Sequence, residues 1–147
     1  MTIRYGLEIR AATSAEALGL AELLSLAGYP IAPRALADRL DALRQWPGAA
    51  LVALDWGPPS GLVVLHWYRT LDAAQPTAQI TTLLVSPDER RRGIGRLLLK
   101  AAAQAARVAG CDALELTVEE PTLAAFCLAT GFTETGSRFV RALRKKG

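Results

Sequence analysis

The stretch Val85-Ser86-Pro87-Asp88-Glu89-Arg90-Arg91-Arg92-Gly93-Ile94-Gly95-Arg96-Leu97-Leu98 decides how the rest of the chain is read. An apolar run ends at a proline, which cannot donate to a sheet ladder. A basic turn with two glycines follows, and then a long Leu- and Ala-rich segment of helical character begins. Amides at a helix start lack intrahelical partners, and the helix dipole adds partial positive charge there. Glycines let the backbone come close to a ligand. Such a turn suits an anion, above all a pyrophosphate, and the arginines add charge-assisted donors.

Two better-known phosphate turns fit less well. A dinucleotide-binding turn needs a third glycine where Leu98 stands. A Walker loop needs Gly-Lys-Ser/Thr, which the chain lacks.

Upstream, Ile3, Tyr5, Leu7 and Ile9 alternate, so residues 3–10 read as one half-buried strand. Thr13-Ser14-Ala15-Glu16 has the pattern of a capping box. Leu20, Leu23, Leu24 and Ala27 follow at helical spacing, and Gly28-Tyr29-Pro30 ends that helix. A second helix starts near Pro33, with Leu36, Leu40 and Leu43 on one face. Residues 49–54 and 61–69 read as strands around the turn Gly57-Pro58-Pro59-Ser60, and residues 77–86 as the next strand. Downstream, the pattern predicts a helix over 93–109 stopped by Gly110, a strand over 113–118 and a helix over 121–130 closed by Gly131. A last pair of strands is expected over 132–135 and 138–143. The fold class is therefore α/β (α+β): a mixed, mostly antiparallel sheet of six to seven strands with a central parallel pair and helices on both faces, in one domain spanning 1–147. Strand 77–86, helix 93–109 and strand 113–118 form a crossover that makes its two strands parallel.

Composition narrows the function. The chain has 147 residues, half of them apolar, with no run long enough to span a membrane. The first eight residues lack the basic head and apolar core of a secretory signal, so the cytoplasm is the expected compartment. Cys111 and Cys127, the two cysteines, are read as reduced thiols, and with a single histidine no His/Cys metal cluster is expected. The net charge of +3 is too mild to argue for nucleic acid. Arg138, Arg141, Arg144, Lys145 and Lys146 read as a solvated end.

The segment from Val85 to Leu98 resembles the acetyl-CoA-binding motif of GNAT acetyltransferases, Gln/Arg-x-x-Gly-x-Gly/Ala, with Arg90, Gly93 and Gly95 at its defining positions. Leu114–Val118, Thr130-Gly131-Phe132 and the opening from Ile9-Arg10-Ala11-Ala12 to Gly28-Tyr29-Pro30 extend the likeness. The resemblance implies a bulged strand splayed from its parallel neighbour in a V, with the pantetheine arm of CoA in the gap beside Leu83, Leu84 and Val85. It implies that the Leu84 or Val85 amide binds the thioester oxygen. Arg90, Arg91, Arg92, Gly93, Ile94, Gly95 and Arg96 would cradle the pyrophosphate, and Phe126 would contact the cofactor.

The chain also departs from the family. The tyrosine that many members use as acid is replaced by Cys127, a thiol that either donates the proton itself or fills helix-packing space, and the frequent strand glutamate falls in Ile80-Thr81-Thr82-Leu83, where neither threonine can be a base. Glu119 and Glu120 are the candidate bases, by direct contact, through water or by attracting a cationic amine. Packing is the expected role of His66, Tyr29 and Tyr68, with a base as the alternative for His66 and an acceptor-site role as the alternative for the two tyrosines. The resemblance implies acetyl transfer from acetyl-CoA, as co-substrate and without a metal, to a primary amine of a small molecule or peptide in a ternary complex. A non-catalytic acyl-CoA-binding regulatory domain is the alternative. Expected partners are a CoA thioester and an amine, not nucleic acid or membrane. A homodimer stays open.

Overall fold

The computed structural model describes residues 2–4, 6–87, 93–118 and 121–144. The chain divides into two compact units, 1–116 and 117–147.

The first unit is a six-stranded sheet in sequential order, β1 (Thr2–Arg4), β2 (Leu7–Ala11), β3 (Gly48–Leu54), β4 (Gly61–Tyr68), β5 (Thr77–Val85) and β6 (Ala113–Leu116). All neighbours are antiparallel except β5 and β6, which are parallel. The alternation at the N-terminus thus belongs to a hairpin rather than to one strand. Gly6, at φ +85°, takes the left-handed conformation that reverses the chain between β1 and β2.

Two helices, α1 (Ala17–Leu26) and α2 (Pro33–Leu43), cover one face of the sheet. Leu20, Leu23, Leu36 and Leu40 pack there with Val52 and Leu62, flanked by Val64 and Leu84. Helix α3 (Ile94–Val108) covers the other face, and its fully buried Ile94 and Leu98 lie on the side that meets β3, β4 and β5. The sheet side chains of that face include Val63, Leu65, Ala78 and Ile80, all buried.

Gly61 lets α3 sit close. A Cβ there would lie 2.8 Å from Leu98 Cδ1, 3.1 Å from Ile94 Cγ2 and 3.1 Å from the Leu84 carbonyl oxygen. Only a residue without a side chain admits the first turns of α3 onto the start of β4.

The capping box at Thr13 is formed. The Ala15 amide donates to Thr13 Oγ1 at 3.2 Å, and the Thr13 amide donates to Glu16 Oε1 at 2.8 Å. Arg10 grips the same carboxylate, its Nη2 3.1 Å from Glu16 Oε2. Burial pushes the Glu16 pKa up, but the Arg10 and Thr13 hydrogen bonds together outweigh it and hold the carboxyl below its ordinary value.

The second unit contains α4 (Pro121–Ala129). It closes in a Schellman turn: the Phe132 amide donates to the Cys127 carbonyl at 3.0 Å, and Gly131 stands at φ +98°. The strands expected over 132–135 and 138–143 do not form. Phe139, Val140 and Leu143 are strongly exposed, and among the described residues no strand pairs with this segment. β-propensity without a ladder partner is insufficient to make a strand. The parallel pair consequently lies at the edge of the six described strands.

Two outcomes are expected. Gly61→Ala lowers stability by about 1–3 kcal/mol in denaturant unfolding, the usual cost of overpacking. Glu16→Ala costs about 1 kcal/mol at pH 7, the usual worth of a cap. A depressed carboxyl pKa stabilises above its unfolded value of about 4.3 and is lost below it. The wild-type advantage over Glu16→Ala therefore shrinks as unfolding is measured at pH values falling through the depressed folded-state pKa.

Candidate active site

The site is built on a change of parity in β5. Its pairing with β4 runs Val64↔Thr82 and then Leu65↔Ile80, so Thr81 is an extra residue, a β-bulge. A one-residue insertion exchanges which backbone groups face which neighbour.

Before the bulge, the even residues face β6. The Asp112 amide donates to the Pro76 carbonyl at 3.3 Å, opening the parallel ladder that pairs Thr77↔Ala113 through Ile80↔Leu116. Beyond the bulge the odd residues face that side. The Ser86 amide donates to the Ser60 carbonyl at 2.8 Å, which makes Gly61↔Val85 a non-hydrogen-bonded pair. Leu62 and Leu84 are then the pair that exchanges both hydrogen bonds. The Leu84 amide is therefore spent on β4, while those of Leu83 and Val85 point away from it.

On that far side β6 stops at Leu116, and Thr81–Val85 have no strand partner among the described residues. Among the described residues the two parallel strands share only four residue pairs, and the Leu83 and Val85 amides of β5 have no ladder partner.

The first residue of α3 packs beside this edge of β5: a Cβ on Gly61 would lie 3.1 Å from both Ile94 Cγ2 and the Leu84 carbonyl oxygen. Gly93 is the N-cap of α3, at φ +73°, with no described atom within 4 Å of where a Cβ would stand. The Leu97 amide donates to the Gly93 carbonyl at 3.1 Å, so the preceding first-turn amides, from Ile94 and Gly95, have no carbonyl of their own helix to bond. Gly95 and Arg96 lie in that first turn. Arg90, Arg91 and Arg92 fall outside the described residues, as do Glu119 and Glu120.

Cys127 and Phe126 lie in α4, in the second unit. The Cys127 side chain is buried, and that burial raises its pKa. Cys111, half-buried after α3, is also raised, first by burial and then by the adjacent Asp112, while Arg69 opposes the shift. Both sulfurs are thiols near neutral pH.

The face that carries α1 and α2 holds a feature the sequence did not reveal. The Tyr68 hydroxyl donates to Glu115 Oε1 at 2.6 Å, and this hydrogen bond raises the Tyr68 pKa. Tyr68 thus adds a polar contact to its partly covered ring, and Tyr29 is more exposed than Tyr68. The available signal was a lone carboxylate among Ala113, Leu114 and Leu116. Nearby, His66 and Trp67 line an open groove of about 430 Å³ with Arg39, Leu43, Trp46 and Pro47.

The sequence profile of the acetyltransferase (GNAT) family matches residues 17–132. The chain belongs to the GNAT acetyltransferase family, whose members use acetyl-CoA. A mycothiol acetyltransferase of Propionibacterium freudenreichii subsp. shermanii is 34% identical over 79 residues, 46% of this chain and 25% of that protein. The match thus spans about a quarter of that relative's length. A crystal structure of an acetyltransferase from Trypanosoma brucei has a TM-score of 0.82 and 22% identity, over 93% of this chain and 99% of the other. The structure of AAC(6')-Iy with the bisubstrate analogue CoA-S-monomethyl-acetylneamine has a TM-score of 0.79 and 19% identity, over 94% of this chain and 98% of that one. At these identities the two structures speak for the fold. Among the described residues no helix is long and apolar enough to cross a membrane.

The thiol environments predict an order of reactivity. In native protein, Ellman's reagent modifies Cys111 faster than Cys127, and both rates rise with pH because only the thiolate attacks. Single Cys→Ser variants assign each rate.

Proposed function

We propose that the chain is a single acetyltransferase domain that moves an acetyl group from acetyl-CoA to a primary amine of a small molecule or peptide, by direct attack in a ternary complex. The observation that carries this reading is the edge of β5 past the Thr81 bulge, unpaired among the described residues, with the first turn of α3 packed against the start of β4 beside it.

The pantetheine arm, with its own amides, would lie along that edge as a strand lies beside a strand. Leu83 and Val85 would supply the donors, and one of their amides would bond the thioester oxygen. Negative charge grows on that oxygen as nitrogen attacks, so a fixed donor there stabilises the transition state more than the ground state. Leu84 would contribute its side chain only. The pyrophosphate would meet the first-turn amides of α3, with Gly93 leaving room and Arg90, Arg91, Arg92 and Arg96 adding positive charge.

In the reaction an N–C bond forms and the C–S bond breaks. The amine nitrogen gives up one proton and the departing CoA sulfur gains one. Glu119 and Glu120 are the proposed acceptors of the first. Cys127 is the proposed donor of the second, regaining its proton from solvent; its raised pKa keeps it in the proton-bearing form. Holding both reactants side by side supplies much of the rate. A related protein's complex with a CoA bisubstrate analogue supports the donor.

Titration calorimetry with acetyl-CoA and release of free CoA thiol in the presence of amines test the reading. Wild-type protein binds acetyl-CoA and releases thiol only when an amine is present. Gly93→Val weakens acetyl-CoA binding tenfold or more, because the side chain enters the space of the phosphate and strains a left-handed residue, while thermal unfolding monitors its folding. Binding without turnover would instead favour an acyl-CoA-binding regulatory domain.

A further inference from the structure

We propose that Glu115, held in place by Tyr68, is a cation-recognition residue, and that the acceptor carries a second positive charge bound there in addition to the amine that reacts. The inference rests on the acetyl-transfer reading and adds the chemical class of the acceptor.

Glu115 pairs across β5 with Gln79, and Tyr68 pairs with Thr77. Residues opposite one another share a face, so Tyr68 and Glu115 stand on the same face as His66, Gln79 and Thr77. Their 2.6 Å hydrogen bond passes over the whole width of β5, since strands lie about 4.8 Å apart. Two long side chains are thus laid flat towards each other on an exposed surface, where packing asks for nothing of the kind. The tyrosine takes one lone-pair position of the carboxylate, which offers about four. It fixes the rotamer and leaves acceptor capacity for a ligand.

The location is as informative as the bond. Glu115 stands one residue before Leu116, the last to pair with β5, and so at the closed end of the open edge. The outward Leu83 amide, the nearer of the two proposed thioester donors, lies four residues further along β5 than Gln79. At about 3.3 Å per residue this is roughly 13 Å, shortened by the bulge and by the reach of the Glu side chain. That separation is too long for Glu115 to take a proton from the reacting nitrogen. It suits a second ammonium on an extended acceptor. Once bound, the charge at Glu115 would direct the other amine towards the thioester.

The test measures kcat/KM for 1,8-diaminooctane and for octylamine, with acetyl-CoA, in wild type, Glu115→Gln, Glu115→Asp and Tyr68→Phe. The expected result is a wild-type preference for the diamine of tenfold or more. That preference collapses in Glu115→Gln, chiefly through KM, survives in part in Glu115→Asp, and weakens in Tyr68→Phe. A merely structural role for the hydrogen bond would lower both amines alike. Equal losses for the two amines, no wild-type preference, or no acetylation of either by a protein that binds acetyl-CoA would each overturn the inference. Failure of the wild type to bind acetyl-CoA by calorimetry would instead overturn the acetyl-transfer reading beneath it.

Discussion

One inserted residue governs the geometry of this protein. Thr81 is an extra residue in β5, and everything beyond it is displaced by one step of the pleat. Without it, the amides of Thr82 and Leu84 would continue the ladder facing β6. With it, those groups turn to β4, and Leu83 and Val85 face outward instead. A bulge also bends its strand and increases the local twist. Together with a β6 that ends at Leu116, this leaves the Leu83 and Val85 amides without a ladder partner among the described residues. Unpaired edge amides are ordinarily a liability that invites pairing with another chain; in the proposed function a cofactor arm takes that place.

The edge would be of little use without a second fixed element. Gly61 and the buried Ile94 and Leu98 anchor the start of α3 at the end of the same hairpin that carries the bulge. The distance between the outward β-edge amides and the helix N-terminus is thereby set by core packing. Tightly packed interiors transmit small volume changes as strain. A site made of backbone amides depends on that rigidity more than on the identity of its side chains.

The difference between what the sequence disclosed and what it hid follows from this. Glycines, prolines and apolar periodicity are local signals, so the Thr13–Glu16 box, α1 to α4 and the turn at Gly93 could be read directly. The paired glycines Gly93 and Gly95 and the strand-to-helix step after Val85 pointed to an anion-binding turn for the same reason. Register is not local. Whether Leu83 or Leu84 directs its amide outward depends on a bulge that residues 77–85 do not betray, since Thr81 differs in no obvious way from Thr82. The Tyr68–Glu115 contact joins residues far apart in the chain across an intervening strand, beyond the reach of any periodicity. The hairpin at Gly6 was hidden by alternation that continued across the turn. Residues 132–143 have the composition of strands but no ladder to join, and composition cannot supply one.

Residue-resolved amide hydrogen exchange, with and without CoA, reads these backbone groups one at a time. Slow exchange is expected at Leu84 in the free protein, fast exchange at Leu83 and Val85, and selective protection of those two once CoA is bound. Fast exchange at Leu84 that CoA suppresses, or no change at Leu83 and Val85 under saturating CoA, would contradict that assignment of the amides.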